Sequence, residues 1–176
     1  HTFGADGRSL AFDAEGNMLG TSEPHDVPLI SGAVARDGEH WASIDERGGL
    51  QLWNRAGMRE VEINFEAQAM CFHSTPQQLL VGGSRSIRVA VDLATGEVAW
   101  VREAGEGAQA LGIKAMRPWA GQVLALGSNN YVHFLSPETA ATMQDSLRLS
   151  PSDWLLPTLH GFVTGLSGRA GSSRIQ

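Results

Sequence analysis

An all-β fold assembled from a repeated antiparallel unit is what this sequence predicts, and three observations carry the prediction. Five short segments recur along the chain: residues 1–5, 41–45, 80–84, 124–128 and 163–167 start 40, 39, 44 and 39 residues apart. A second series at 9–13, 50–54, 88–92, 132–136 and 172–176 follows with spacings of 41, 38, 44 and 40. The connections between them are rich in glycine, which supplies the positive φ of tight hairpins. No stretch holds a 3.6-residue apolar period over eleven or more residues, so long amphipathic helices are not expected.

A period near forty, made of short strands and glycine turns, is the pattern of a β-propeller with one four-stranded antiparallel blade per repeat. The 176 residues then divide into a partial blade at 1–24, blades at 25–66, 67–106 and 107–150, and a partial blade at 151–176. In the first unit, strands are expected at 1–5, 9–13 and 17–21, with no inner strand. The second is the clearest: 29–35 is apolar and β-prone, and Arg36-Asp37-Gly38 turns the chain. Residues 41–45 form the next strand and 46–49 turn. Leu50, Gln51, Leu52 and Trp53 alternate, 54–57 turn, and 58–65 close as an outer strand. The third unit is expected at 69–73, 79–83, 87–91 and 98–102, the fourth at 111–116, 122–126, 131–135 and 143–149. The last has strands at 154–159, 162–165 and 172–176. Those eighteen strands make about four and a half blades, and the two end remnants do not complement each other. Exposed blade faces and unpaired edges are liabilities. The expectation is therefore a segment of a larger propeller, or one completed by another protein chain.

Composition narrows the function. Nineteen Asp and Glu against thirteen Lys and Arg give a net charge of −6, and an acidic surface repels phosphate backbones, so nucleic acid is not expected as a partner. No run of about eighteen apolar residues exists to span a membrane as a helix. The single cysteine, Cys71, lies in Ala69-Met70-Cys71-Phe72, which reads as buried strand and so as an inert thiol. One cysteine leaves the compartment open.

The search for chemistry returns no catalytic, cofactor-binding or metal-binding residues. The six histidines, His1, His25, His40, His73, His133 and His160, show no paired spacing with a supporting carboxylate. His133, between Val132 and Phe134, is expected to be a polar residue on one strand face. Gly105-Glu106-Gly107-Ala108-Gln109-Ala110 matches a nucleotide fingerprint only formally, because a strand follows where a helix is required. The spacing in Gly165-Leu166-Ser167-Gly168 does not make a nucleophile elbow. Asp13, Glu15, Asp45 and Glu46 are expected as solvated turn carboxylates. Trp41, Trp53, Trp119 and Trp154 are expected mostly between blades. Trp119, beside Pro118 in a turn, is the one expected to be exposed and so the candidate for partner contact.

Two resemblances refine the architecture. From His25 to Asn54 the chain resembles a WD-repeat blade: His25 stands twelve residues before Asp37-Gly38, and Trp41-Ala42-Ser43 and Leu50-Gln51-Leu52-Trp53-Asn54 fall where that family has Leu-Ala-Ser and Trp-Asp. Pro24 stands in place of the family's Gly, and Asn54 in place of its Asp. The other repeats end in Phe12-Asp13, Val91-Asp92 and Leu135-Ser136 and lack the His, so the resemblance implies a stiffening His/Asp network in one blade at most. The following unit, Ala90-Val91-Asp92-Leu93-Ala94-Thr95-Gly96-Glu97-Val98-Ala99-Trp100, is similar to the tryptophan-docking motif of quinoprotein-like propellers. There Asp92 and Thr95 are expected to bond the turn, Gly96 to take the left-handed position, and Trp100 to lie on the neighbouring blade. The WD-like resemblance implies a non-enzymatic protein–protein interaction scaffold or complex subunit that binds through propeller faces and loops. The alternative it leaves is a quinoprotein-like cofactor-binding or enzymatic propeller. A carbohydrate- or envelope-binding module is the third possibility, and rows of exposed aromatics would be its sign.

Overall fold

Each short apolar run bounded by glycine or aspartate becomes a strand that pairs with the next run along the chain. The structure, a computed structural model, describes residues 1–21, 25–54, 57–74, 77–84, 87–103, 112–128, 130–138, 147–148, 154–158 and 161–165. Thr2–Phe3 (β1), Ser9–Phe12 (β2) and Met18–Thr21 (β3) form a three-stranded sheet. Leu29–Val34 (β4), Trp41–Asp45 (β5), Leu50–Asn54 (β6) and Gly57–Val61 (β7) form the second sheet. The third comprises Ala67–Ser74 (β8), Gln77–Gly83 (β9), Arg88–Asp92 (β10) and Val98–Arg102 (β11). The fourth comprises Ile113–Trp119 (β12), Gln122–Gly127 (β13), Tyr131–Leu135 (β14) and Leu147–Arg148 (β15). Trp154–Thr158 (β16) and Gly161–Gly165 (β17) pair as a hairpin. Among the described residues every pairing is antiparallel and joins sequence neighbours, so each sheet is an open meander. The chain is all-β over the described residues, as its periodicity predicts.

Two of the differences from the expected bounds have a clear physical reason. The outer strand expected at 58–65 ends at Val61. Beyond it the backbone bonds to turns instead of a ladder: Ala67 N–H donates to the Gly48 carbonyl (3.4 Å), and Ser84 N–H to the Glu66 carbonyl (3.1 Å). The strand expected at 111–116 begins at Ile113 and continues through Pro118 and Trp119, which pair with Val123 and Gln122. Proline is tolerated there because β12 is an edge strand and needs no outward donor. The turn is one step later, at Ala120 and Gly121, whose φ of 45° and 76° suit a two-residue hairpin of the type I′ kind. The strand expected at 172–176 lies outside the described residues.

The sheets stack through alternating faces. In the third sheet Met70, Phe72, Leu79, Val81, Val89 and Val91 share a core with Ala42, Ile44, Leu50 and Leu52 of the second sheet. The intervening residues Ala69, Cys71, Leu80 and Ala90 share another with Ile113, Val123, Ala125 and Leu135 of the fourth. Leu79, Leu80 and Val81 are therefore 0, 3 and 0% exposed, a continuous apolar run because both faces are covered. The first strands meet as well: β8 packs against both β4 and β12, and β1 against β4, where the Phe3 ring sits over Gly32.

Truncation of Leu79 should cost what a sealed core site costs. Leu79→Ala is expected to lower the free energy of unfolding by about 2–5 kcal/mol. Leu19→Ala, at a site 69% exposed, should stay within about 0.5 kcal/mol. Urea denaturation followed by tryptophan fluorescence compares the two.

Candidate functional site

His25 is a buried polar residue held at the junction of the first two sheets. Its backbone N–H donates to the Gly7 carbonyl at 2.9 Å, which ties it to the β1–β2 turn. Its ring reaches β5, where Nε2 lies 2.8 Å from Ser43 Oγ and Nδ1 lies 3.1 Å from Asp45 Oδ2. Ser43 and Asp45 are two positions apart on one strand and therefore project from the same face. From β6 the Trp53 indole Nε1–H donates to Ser43 Oγ at 3.4 Å. The other Asp45 oxygen, Oδ1, accepts the N–H groups of Arg47 (2.9 Å) and Gly49 (2.8 Å), fixing the β5–β6 turn.

Donor and acceptor roles follow from the chemistry. An ionised carboxylate only accepts, so His25 Nδ1–H donates to Asp45; in the neutral ring Nε2 then accepts the Ser43 hydroxyl proton. Ser43 in turn accepts from Trp53, and every member of the chain is satisfied. The connectivity Ser43–His25–Asp45 is that of a hydrolase triad. Its accessibility is not: Ser43 is 1% and His25 7% exposed, and Trp53 donates into the oxygen that would have to attack. The arrangement joins β5, β6 and the segment before β4 into one rigid unit.

Asp45 corrects the sequence expectation. It is not a solvated turn carboxylate, because its side chain is 14% exposed and both oxygens are engaged. The two-residue offset from Ser43 places both side chains on one strand face, but nothing local marks that face as the one His25 covers.

The second motif forms a compact turn. Asp92 Oδ1 accepts the N–H groups of Ala94 and Thr95, each at 2.9 Å, and the Thr95 hydroxyl at 3.2 Å. Thr95 Oγ1 accepts the Glu97 N–H at 3.2 Å. The Thr95 N–H bond is the largest influence on the Asp92 carboxyl, which lies below its ordinary value against the opposing effect of burial. Gly96 has a φ of 70°, and a Cβ there would meet the Arg59 side chain. Trp100 packs against the core shared with the fourth sheet. Asp13 makes a similar cap, its oxygens accepting the Asn17 N–H at 2.7 Å and the Asn17 side-chain amide at 2.8 Å.

The remaining candidates are dispersed. In the Asp37-Gly38 turn, Asp37 Oδ1 accepts the Glu39 N–H at 2.8 Å and Oδ2 pairs with His40 Nδ1 at 2.9 Å. Burial works to raise the Asp37 carboxyl, but these bonds outweigh it and hold it low. Trp41 stacks on Trp53 at 6.3 Å, and the His1 ring lies tilted 4.9 Å from Trp41. Trp119 is not in a turn and is not fully exposed: it ends β12, half-buried, with its ring edge-on to Phe134 at 6.2 Å. Burial pushes the Cys71 thiol up to about 12, which removes the thiolate a nucleophile needs. His133 is half-buried, and its pKa is lowered by desolvation and then by the Arg88 charge. His160, Trp154 and residues 105–110 lie outside the residues whose side chains are described.

Among the described residues no three His, Cys, Asp or Glu side chains gather as metal ligands, and no helix is long and apolar enough to cross a membrane. No family model and no curated protein matches the chain.

Two outcomes test these environments. Asp45→Ala strands the His25 Nδ1–H and two turn N–H groups, so it should destabilise the protein by about 2–3 kcal/mol in urea melts. The exposed Asp26→Ala should be close to neutral. His133 should titrate below 6.5 by NMR. Because its folded pKa is depressed, the stability it contributes is complete above pH 6.5 and is lost as the pH falls through the folded value. Wild type should therefore lose more stability than His133→Gln between pH 7.5 and pH 5.

Proposed function

We propose that this chain is a run of β-propeller blades acting as a non-enzymatic protein–protein interaction scaffold. The observation that supports this most directly is the serial stack: four-stranded meanders share cores on alternating faces, and the first strand of each packs on the first strand of the next. The buried clasp of His25, Ser43, Asp45 and Trp53 agrees with the stiffening His/Asp network that the WD-like resemblance implies in one blade. A rigid stack of this kind holds its turns and outer edges in constant positions, which suits recognition. Fold alone does not name the partner.

One observation favours a second reading. The turn at Asp92, Thr95 and Gly96, with Trp100 on the adjoining core, has the bonding that a quinoprotein-like docking motif calls for, and that class includes propellers that bind cofactors.

Native mass spectrometry and absorbance of protein purified from its source separate the two. The scaffold proposal expects a complex of defined stoichiometry with other protein chains, and no stoichiometric chromophore between 300 and 450 nm. A monodisperse monomer carrying a bound chromophore or metal would overturn it in favour of the cofactor-binding reading.

A further inference from the structure

We propose that the groove between the second and third sheets is a docking site for an extended segment of a partner protein that carries lysine or arginine beside small apolar side chains. The proposal rests on the scaffold reading and assigns the surface and the chemistry of its partner. The groove has a volume of about 880 Å³ and lies where the outer strands β7 and β11 diverge. Its floor is apolar, formed by Leu50 and Val61 from one sheet and Val89 and Val98 from the other. Val101 also lines it and is left 56% exposed, an apolar surface that pairing within the fold does not cover.

The rim gives the sign of the occupant. Glu60, Glu62 and Glu66 all border the groove and are exposed, against a single cation, Arg47. The ion pairs His25–Asp45 and His40–Asp37 lie elsewhere, and among the described residues no ion pair is made by any of the three glutamates. Three carboxylates around an apolar floor favour a cationic segment with apolar side chains over an acidic or nucleic-acid partner. The edges give its conformation: β7 and β11 are terminal strands in their sheets, so an extended chain can add backbone hydrogen bonds along either.

The groove is also preformed. The connection that carries its rim is held by Ser84 N–H on the Glu66 carbonyl and Ala67 N–H on the Gly48 carbonyl, while Ile63 and Phe65 pack against the shared core. Little ordering free energy is then lost on binding.

Fluorescence anisotropy with a short labelled peptide of alternating lysine and valine tests the site, with an alternating glutamate and valine peptide as control. Wild type should bind the lysine peptide saturably, and raised salt should weaken binding. The triple variant E60Q/E62Q/E66Q should bind about tenfold more weakly, in line with three rim charges, and Val101→Lys, which removes an apolar contact and repels the cationic probe, should abolish binding while circular dichroism stays unchanged. Absence of binding, equal binding by the triple variant, or equal binding of the glutamate peptide would overturn the proposal. So would a dimer in gel filtration that Val101→Lys dissolves, because the occupant would then be a second copy. If the peptide fails while the native complex persists, the groove is excluded and the scaffold proposal stands.

Discussion

A four-stranded meander of this size has two faces to cover, and it covers them only against neighbours. That constraint organises the chain. In the third sheet, consecutive residues on β8, β9 and β10 alternate between two separate cores, so removing either adjoining sheet would expose half of a fully apolar run. Each strand of about five residues provides little cohesion alone. Stability resides in the interfaces, and the interfaces exist because alternate side chains point opposite ways.

The polar clasp follows from the same geometry. The second sheet gives Ala42 and Ile44 to the core with the third sheet, which directs the alternate positions, Trp41, Ser43 and Asp45, to the other side. There a polar residue is tolerable only if its bonds are complete. His25 completes them by supplying a donor to Asp45 and an acceptor to Ser43, while Trp53 supplies the last donor. A buried network satisfied at every atom stiffens the unit, whereas the same network missing one member would leave a desolvated group without a partner. Its resemblance to a hydrolytic triad is one of connectivity alone, because burial denies a substrate access to Ser43.

Surface features divide by the same logic. Aspartates at strand ends, Asp13, Asp37, Asp45 and Asp92, accept turn N–H groups and fix loop shape. The outer strands diverge where the sheets fan apart, leaving an apolar floor and an acidic rim between β7 and β11. Regular stacking near β4, β8 and β12 and an open groove farther out are two consequences of one arrangement.

The strand content was legible from residue order because a two-residue period and glycine turns are local properties. Trp41–Asp45, Val98–Arg102 and Tyr131–Leu135 have the bounds their pattern predicts. The Asp92–Gly96 turn was legible for the same reason, since its side-chain bonds span at most three residues. The end of β7 and the extension of β12 were not. Whether Pro118 sits in a turn or on an edge strand depends on which neighbour claims its hydrogen-bonding side, and that neighbour is set by the sheet. Nor could local pattern tell that Asp45 is half-buried, for His25 approaches it from twenty residues away. By itself, then, the sequence determined the strands, their turns and the sided character of each face. Only tertiary structure decided which faces meet and which polar groups they enclose, because burial is a property of pairs of surfaces and not of a single strand.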